Sequence, residues 1–523
     1  MAYVEELPRS LPGVREEPSR ICAVTGLKVY AGAQSLTVAN AVAAVLALAM
    51  GGIFGTLVGL TRAPGIDALQ PNAFYVALTG HGVAALILWP VFFEVAAIVF
   101  ASTILLNARV FSLKLGWSAF FLMVAGGIML VVSIVTDVRN AVMFTAYPPL
   151  VANQIFYLGY LIFAVGVVLA LVNFALSIAA ARAEKAYAGS LPLLTYGVAA
   201  AAILAMLSLA SGLVALIPAW LYANDWIGAV EPVIYRTWFW GLGHTLQYVN
   251  VVAMVVAWYG ILALTLRAGP VNQKFSRIAF VLYIIISLPV LGHHFLVDPS
   301  LGNEVKIVGG SIMGFLLGVP SLMHGLAIMG GAEYEIRRQW KTSLFGWLKK
   351  LRWDHAGVVA LAGSLLIFAV GGWSGTVETT LPLNLVTHNT MNVPGHLHQT
   401  VTGGMTLAFM GFAYYLVPIL VRRRLWSHKL AVVQAYGYTA GMLIMTNAQI
   451  WAGALGVPRR TADIGYGGQA PGGWELPMDI AGVGVIISGA AGGLFILIMV
   501  ATLLIGKRTE DPNELVPYAV KPA

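Results

Sequence analysis

The sequence predicts an all-α polytopic membrane protein with about twelve transmembrane helices in one domain, and three observations predict it. Hydrophobic residues fill 59% of the 523 positions and charged residues 10%, with a mean hydropathy of +0.83; a soluble chain of this size carries about a quarter charged residues. Apolar stretches of about 20 residues, enough to cross a bilayer, recur along the whole chain. Lysine and arginine fall in the short segments between them or at their ends, and crowd into alternate ones. The net charge of +8 therefore forms no basic face, which excludes nucleic acid as a partner, and the composition excludes a disordered chain. A single cysteine, Cys22, excludes a disulfide framework and any cysteine-ligated zinc or iron–sulfur site.

In chain order the expected spans lie near residues 37–61, 76–107, 116–136, 155–181, 193–222, 234–267, 275–297, 305–332, 357–372, 392–421, 429–456 and 480–505. Residues 1–28 mix both charge signs without an apolar run, unlike a cleaved signal peptide. Residues 507–523 form a short charged tail, and no repeat or soluble-domain insertion interrupts the single membrane domain, 1–523. Loops after even-numbered spans, with the two terminal segments, hold 24 of the 30 lysines and arginines, and loops after odd-numbered spans hold 6. The positive-inside rule then puts both termini in the cytoplasm.

Ten histidines carry the functional signal. His355 and His428 fall in charged cytoplasmic loops and have ordinary solvent-facing explanations. The other eight, His81, His244, His293, His294, His324, His388, His396 and His398, lie in or beside apolar spans, where ionisable groups are costly and usually functional. The orientation puts six of them in the outer half of the membrane: His81, His244, His293, His294, His396 and His398. The charge count used none of those positions. Successive helical residues turn by about 100°, so His396 and His398 point about 200° apart and suit two cofactors on opposite faces of span 10. His81 on a separate helix is a natural axial partner for one of them. His244 with the adjacent His293 and His294 offers three nitrogens to a copper or non-haem iron ion.

At these residues the chain resembles subunit I of the haem-copper oxidases, and more narrowly the bacterial and archaeal B-type cytochrome c oxidases. The segments that carry the resemblance are LTGHGV around His81, YPPL at Tyr147 to Leu150, WGLGHTLQY around His244, GHHFLVDP around His293, GVPSLM before His324, THNTMNVPGHLH ending at His398, and AGALGVPRR ending at Arg460. The resemblance implies a subunit I helix bundle, with residues 37–505 as its redox core, in a prokaryotic plasma membrane. It also implies that His81 and His398 ligate a low-spin haem of b type, His396 a high-spin haem of a or b type, and His244, His293 and His294 copper B. Arg459 and Arg460 match an arginine pair beside the haem propionates, and His388 matches a residue of the same region. Tyr248, four residues after His244 and on the same helix face, matches the tyrosine that the family links covalently to a copper ligand. Tyr259 lies three turns further, about 16 Å toward the cytoplasm. His324 and Ser321 match positions of a threonine and a serine in the B-type proton path, so a path through Tyr259, His324 and Ser321 to Tyr248 is expected.

Several residues depart from the family pattern. Proline usually follows the first copper ligand, whereas here the order is His244, Thr245, Leu246, Gln247, Tyr248. Gln247 and Asn250 add two amides near the expected metal site, which makes Gln247 a candidate catalytic residue beside Tyr248. Asn384 and Asn392 replace an acidic and an aromatic residue.

The function implied is that of the catalytic subunit of a respiratory terminal oxidase. Electrons pass from the low-spin haem to the high-spin haem and copper B, where O2 becomes water with proton uptake from the cytoplasm. A nitric oxide reductase of the same superfamily, making N2O from two NO at non-haem iron or copper, is the alternative. The lost proline and added amides favour it, while Tyr248 and the lack of a glutamate within span 6 favour oxygen. A transporter without redox chemistry is a third reading, since transporters also carry intramembrane histidine and amide side chains, but it gives no reason for six histidines at these spacings. The chain has no cupredoxin pattern and no Cys-x-x-Cys-His haem attachment site. A membrane-anchored subunit II with a cupredoxin or other electron-entry domain is therefore expected, fed by cytochrome c or a small copper protein.

Overall fold

Long apolar runs bounded by proline, glycine and charged residues fold as helices, because a chain surrounded by lipid must satisfy its backbone hydrogen bonds internally. The computed structural model describes residues 17–287, 289–299 and 301–517. A short hairpin of β1 (Ser19–Ile21) and β2 (Lys28–Tyr30) precedes the helices, with Ser19 opposite Tyr30. The helices are α1 (Ala31–Thr61), α2 (Pro71–Leu106), α3 (Leu113–Thr136), α4 (Gln154–Ala183), α5 (Leu193–Ala223) and α6 (Pro232–Leu266). Next comes α7 (Gln273–Ser287), continued by a 3₁₀ segment at Pro289–Phe295. They are followed by α8 (Asn303–Trp340), α9 (Ala356–Thr379), α10 (Asn392–Val421), α11 (His428–Ala454) and α12 (Glu475–Ile505).

Eleven of these segments are long and apolar enough to cross a membrane, among the described residues. The expected span at 429–456 is present as α11 but falls outside that set. Its polar residues answer its neighbours instead of lipid: Gln434 accepts from Tyr414 of α10 at 2.8 Å, and Gln449 pairs with His398 of α10 at 2.8 Å. Small residues bring α11 against both partners. A Cβ on Gly484 of α12 would stand 2.3 Å from the Met445 nitrogen, and one on Gly453 would stand 2.1 Å from the Asn392 nitrogen. Span 9 is longer than expected, running to Thr379.

Helices adjacent in sequence pack as antiparallel pairs, α3 with α4, α5 with α6 and α11 with α12, while α1 closes the arrangement against α2 and α12. Loop contacts respect the expected sidedness. Arg109 pairs with Glu184, Arg422 with Glu510, and Arg20 donates to the carbonyls of Ile419 and Leu420, all on the arginine-rich face. On the opposite face Arg236 pairs with Asp298, and Arg62 donates to the carbonyls of Pro458 and Arg459. Wide helical turns interrupt α2 at Ala84–Leu88, α8 at Lys306–Ile312 and α10 at His398–Met405. Two of the three adjoin a histidine, as such turns often adjoin functional sites.

The solvent-facing expectation for His355 is corrected. Only 2% of this residue is exposed. Its Nε2 meets the Pro517 carbonyl, its Nδ1 meets the Tyr415 hydroxyl at 3.0 Å, and its ring stacks on Tyr415 with His428 4.8 Å away. The segment from Lys507 to Pro517 therefore folds back under α9 and α10, burying Leu515 and Val516. Burial pushes the His355 pKa down to about 4 from 6.5. As pH falls through this window the unfolded chain takes up a proton that the folded chain refuses, so stability at this corner is lost on acidification. Lowering the pH from neutrality to about 5 should open residues 507–517 to limited proteolysis, and His355→Gln should abolish that dependence.

Candidate redox site

Three histidines share one arrangement: Nδ1 is held by an oxygen acceptor. His81 of α2 bonds the Gly51 carbonyl of α1 at 2.9 Å. His398 of α10 bonds Gln449 Oε1 of α11 at 2.8 Å. His396, two residues earlier, faces α9 instead, where its Nδ1 meets the Gly371 carbonyl and Ser374 Oγ, each at 3.0 Å. Engaging Nδ1 in this way fixes the ring and leaves Nε2 as the ligand atom, the usual support of a metal-binding imidazole. The 200° separation of His396 and His398 expected from helix geometry thus becomes two different neighbours. Glycine makes room for both rings that face α1 and α9: a Cβ on Gly55 would stand 2.6 Å from the His81 ring, and one on Gly375 would stand 2.9 Å from the His396 ring.

The His81 and His398 ring centroids are 6.0 Å apart. Two imidazoles flanking one metal at bonds of about 2 Å require about that separation. These residues fit bis-histidine coordination of a haem, and His396 offers a separate single ligand.

His244 of α6 and His293 and His294 of the 3₁₀ segment form a second group, with ligand nitrogens all within 4.8 Å of one another. His244 Nδ1 lies 3.2 Å from His294 Nε2, while His244 Nε2 is buried without a protein partner. Trp240, one turn before His244, stacks on the His294 ring at 3.6 Å. The Arg236–Asp298 pair, 2.9 Å, ties the start of α6 to the end of this segment. Tyr248 lies beside His244, ring centroids 4.8 Å apart. Three neutral nitrogens in one pocket suit a copper ion.

Gln247 is placed differently. It accepts from Asn250 Nδ2 at 3.2 Å and lines an apolar cavity of about 100 Å³ between α2, α4, α5 and α6. Glu94 of α2 lines the same cavity.

Toward the arginine-rich face, Tyr259 OH donates to Ser276 Oγ at 2.9 Å and meets His324 Nδ1 at 2.8 Å. Ser276 in turn donates to the Asn272 carbonyl. Ser321 does not adjoin His324 in this chain of bonds; it pairs with Tyr283 OH at 2.7 Å. The Tyr283 ring stacks on His324 at 5.9 Å and lies 6.1 Å from Tyr248. His324 Nε2 is buried without a protein partner, so the chain is open at that atom. Sequence reasoning missed Ser276 and Tyr283. Their signal was the seven-residue spacing on α7, which puts both on one face with buried Phe280 between them.

On the arginine-poor face, Arg460 and Arg236 each stand 5.7 Å from the Tyr147 ring. Arg459 donates to Asn389 Oδ1 at 2.8 Å. Burial, with Arg460 adding to it, pulls the Arg459 pKa down to about 10, and burial raises Tyr147 to about 12. His388 Nδ1 bonds Asn384 Oδ1 at 3.0 Å, and Asn384 Nδ2 reaches the carbonyl and carboxyl of Glu378. Glu378 of α9, which sequence reasoning missed, thus sets a carboxyl beside Asn384, the position where the family has an acid.

Comparison with known proteins gives the family. The family model described as cytochrome c and quinol oxidase polypeptide I matches residues 35–487. Cytochrome c oxidase subunit 1 of Thermus thermophilus is 30% identical over 498 residues, 91% of this chain and 85% of the relative. Its counterpart in Synechocystis is 26% identical over 381 residues, 69% of this chain and 64% of the relative. The solved structure of a heme-copper terminal oxidase dimer superposes with a TM-score of 0.86 at 25% identity, over 95% of this chain and 88% of that one. Matching over most of its length, the chain belongs to the subunit I family of the haem-copper oxidases, the catalytic, multi-pass membrane subunit of an oxidoreductase, a family that works with a subunit II and implies haems and copper B.

Proposed function

We propose that this chain reduces O2 to water as the catalytic subunit of a respiratory terminal oxidase in a prokaryotic plasma membrane, with both termini in the cytoplasm. The observation that carries the reading is Tyr248 beside His244, ring centroids 4.8 Å apart, in a three-histidine cluster that holds no carboxylate among the described residues. Carboxylate is the ligand that would favour iron. Gln247, whose amide supported the nitric oxide alternative, turns to Asn250 and the apolar cavity, and the relatives are named cytochrome c oxidases.

In this reading His81 and His398 hold the low-spin haem, of b type, His396 holds the high-spin haem, and His244, His293 and His294 hold copper B. When bound, these groups supply the electron transfer and oxygen chemistry. The protein supplies fixed imidazoles, a hydroxyl at Tyr248, and proton access. His324 with its proton on Nδ1 donates to Tyr259, which donates to Ser276; the reversed tautomer accepts from Tyr259. That reversible order suits proton uptake from the arginine-rich face. Tyr283 with Ser321 then carries the path toward Tyr248. Arg459 and Arg460 offer donors to the carboxylates of the haems, and His388, its Nδ1 given to Asn384, belongs to the same region. A membrane-anchored subunit II bearing a cupredoxin domain delivers electrons from cytochrome c or a small copper protein.

The purified complex tests the reading directly. One copper per chain at the third metal site and rapid oxygen uptake are expected; absence of that copper together with fast N2O formation from NO would overturn it. Tyr283→Phe should slow turnover by roughly tenfold or more and leave both haem spectra intact; unchanged turnover removes Tyr283 from the path. Gln449→Leu strips His398 of its Nδ1 partner. It should weaken low-spin haem retention about 10- to 100-fold, read as loss of that haem's absorption band per chain with the high-spin band retained.

A further inference from the structure

Arg62 directly follows α1 and is 5% exposed. Its guanidinium donates from Nη1 to Met391 Sδ at 2.9 Å and to the Arg459 carbonyl at 2.8 Å, and from Nη2 to the Pro458 carbonyl at 2.5 Å. All three acceptors are neutral. Nε is buried without a partner, and no carboxylate pairs with Arg62 among the described residues. A buried cation without an opposite charge is expensive, and burial here lowers the pKa only to about 10, so the group stays charged near neutrality. Its partners among the described residues therefore leave the charge unbalanced.

The position of Arg62 says which anion. α1 forms the wall behind His81: Gly51 accepts from the His81 ring and Gly55 lies under it. Arg62 stands at the end of that same helix, on the face that carries Arg459 and Arg460. Two chain segments meet there, with Met391 N bonded to the Val457 carbonyl at 2.8 Å and Arg459 N bonded to the Asn389 carbonyl at 2.9 Å. Arg62 is the side chain that grips both. Arg459 Nε is likewise buried without a partner.

We propose that Arg62 is a third arginine of this anion site, its charge held against a carboxylate of the low-spin haem while its Nη donors fix the segments bearing Met391 and Arg459. The proposal rests on the haem assignment made above, and haem content measured separately distinguishes its failure from failure of that assignment. A positive charge near a haem favours its reduced form. Arg62→Gln should therefore shift the reduction equilibrium of the low-spin haem toward the oxidised form by about tenfold, a midpoint drop of about 59 mV for one electron. The ratio of the two haems per chain should stay as in the wild type. Arg139→Gln, on the same face but 79% exposed and paired with Asp137, should leave the midpoint unchanged. Arg62→Lys keeps the charge and loses the planar fork; it should hold the midpoint near the wild-type value and move the carboxylate bands of the reduced-minus-oxidised infrared spectrum. An unchanged midpoint in haem-replete Arg62→Gln overturns the proposal. Should Arg62→Gln fail to assemble, unmoved carboxylate bands in Arg62→Lys overturn it instead.

Discussion

The site depends on a constraint of imidazole chemistry: a neutral ring has one nitrogen that donates and one that accepts, and inside a bundle both need a partner. The protein meets the constraint on one side only. Gly51, Gln449 and Gly371 each take the Nδ1 of His81, His398 or His396. That commits three helices, α1, α9 and α11, to orienting three rings carried by two others, α2 and α10. The close glycine contacts at Gly55 and Gly375 follow from the same need, since a methyl group there would displace the ring it supports.

This explains why α11 falls outside the set of helices apolar enough to cross a membrane by composition alone. A helix whose Gln434 and Gln449 must reach α10 cannot be uniformly greasy, and it is sheltered from lipid by α12 on one side and α9 and α10 on the other. The wide turn at His398–Met405 belongs to the same economy of space, shifting the rest of α10 relative to His396, which precedes it, and His398, which begins it. On the arginine-poor face the problem is reversed. There Arg62, Arg459 and Arg460 gather cations in a buried place, and backbone carbonyls, an asparagine and the Tyr147 ring answer them.

Departures from the family pattern gain meaning from their neighbours. Asn384 in place of an acid would be a loss if Glu378 did not reach it from α9. His324 in place of a threonine bonds Tyr259 and stacks on Tyr283, so the substitution is absorbed by a tyrosine from α7. Gln247, which suggested a second amide at the metal, lines the cavity on the other side of α6. Residue type alone could not separate these cases, because each depends on which helix lies opposite.

Composition, apolar run length and the placement of lysine and arginine were sufficient for the fold class, the twelve helices and their alternation, since all three reflect transfer between water and lipid, which acts on a residue independently of its neighbours. The six clustered histidines were legible for the same reason: an ionisable group in an apolar run stands out without any knowledge of its partners. Tertiary structure alone decided the rest. The gathering of His244, His293 and His294, the acceptor behind each ring, the entry of Tyr283, Ser276 and Glu378, the grip of Arg62 on two distant loops and the burial of His355 all join residues far apart in the chain. Such contacts are set by how helices pack, and a hydrogen bond between α10 and α11 or between the ends of α1 and α11 leaves no periodic mark on the sequence of either.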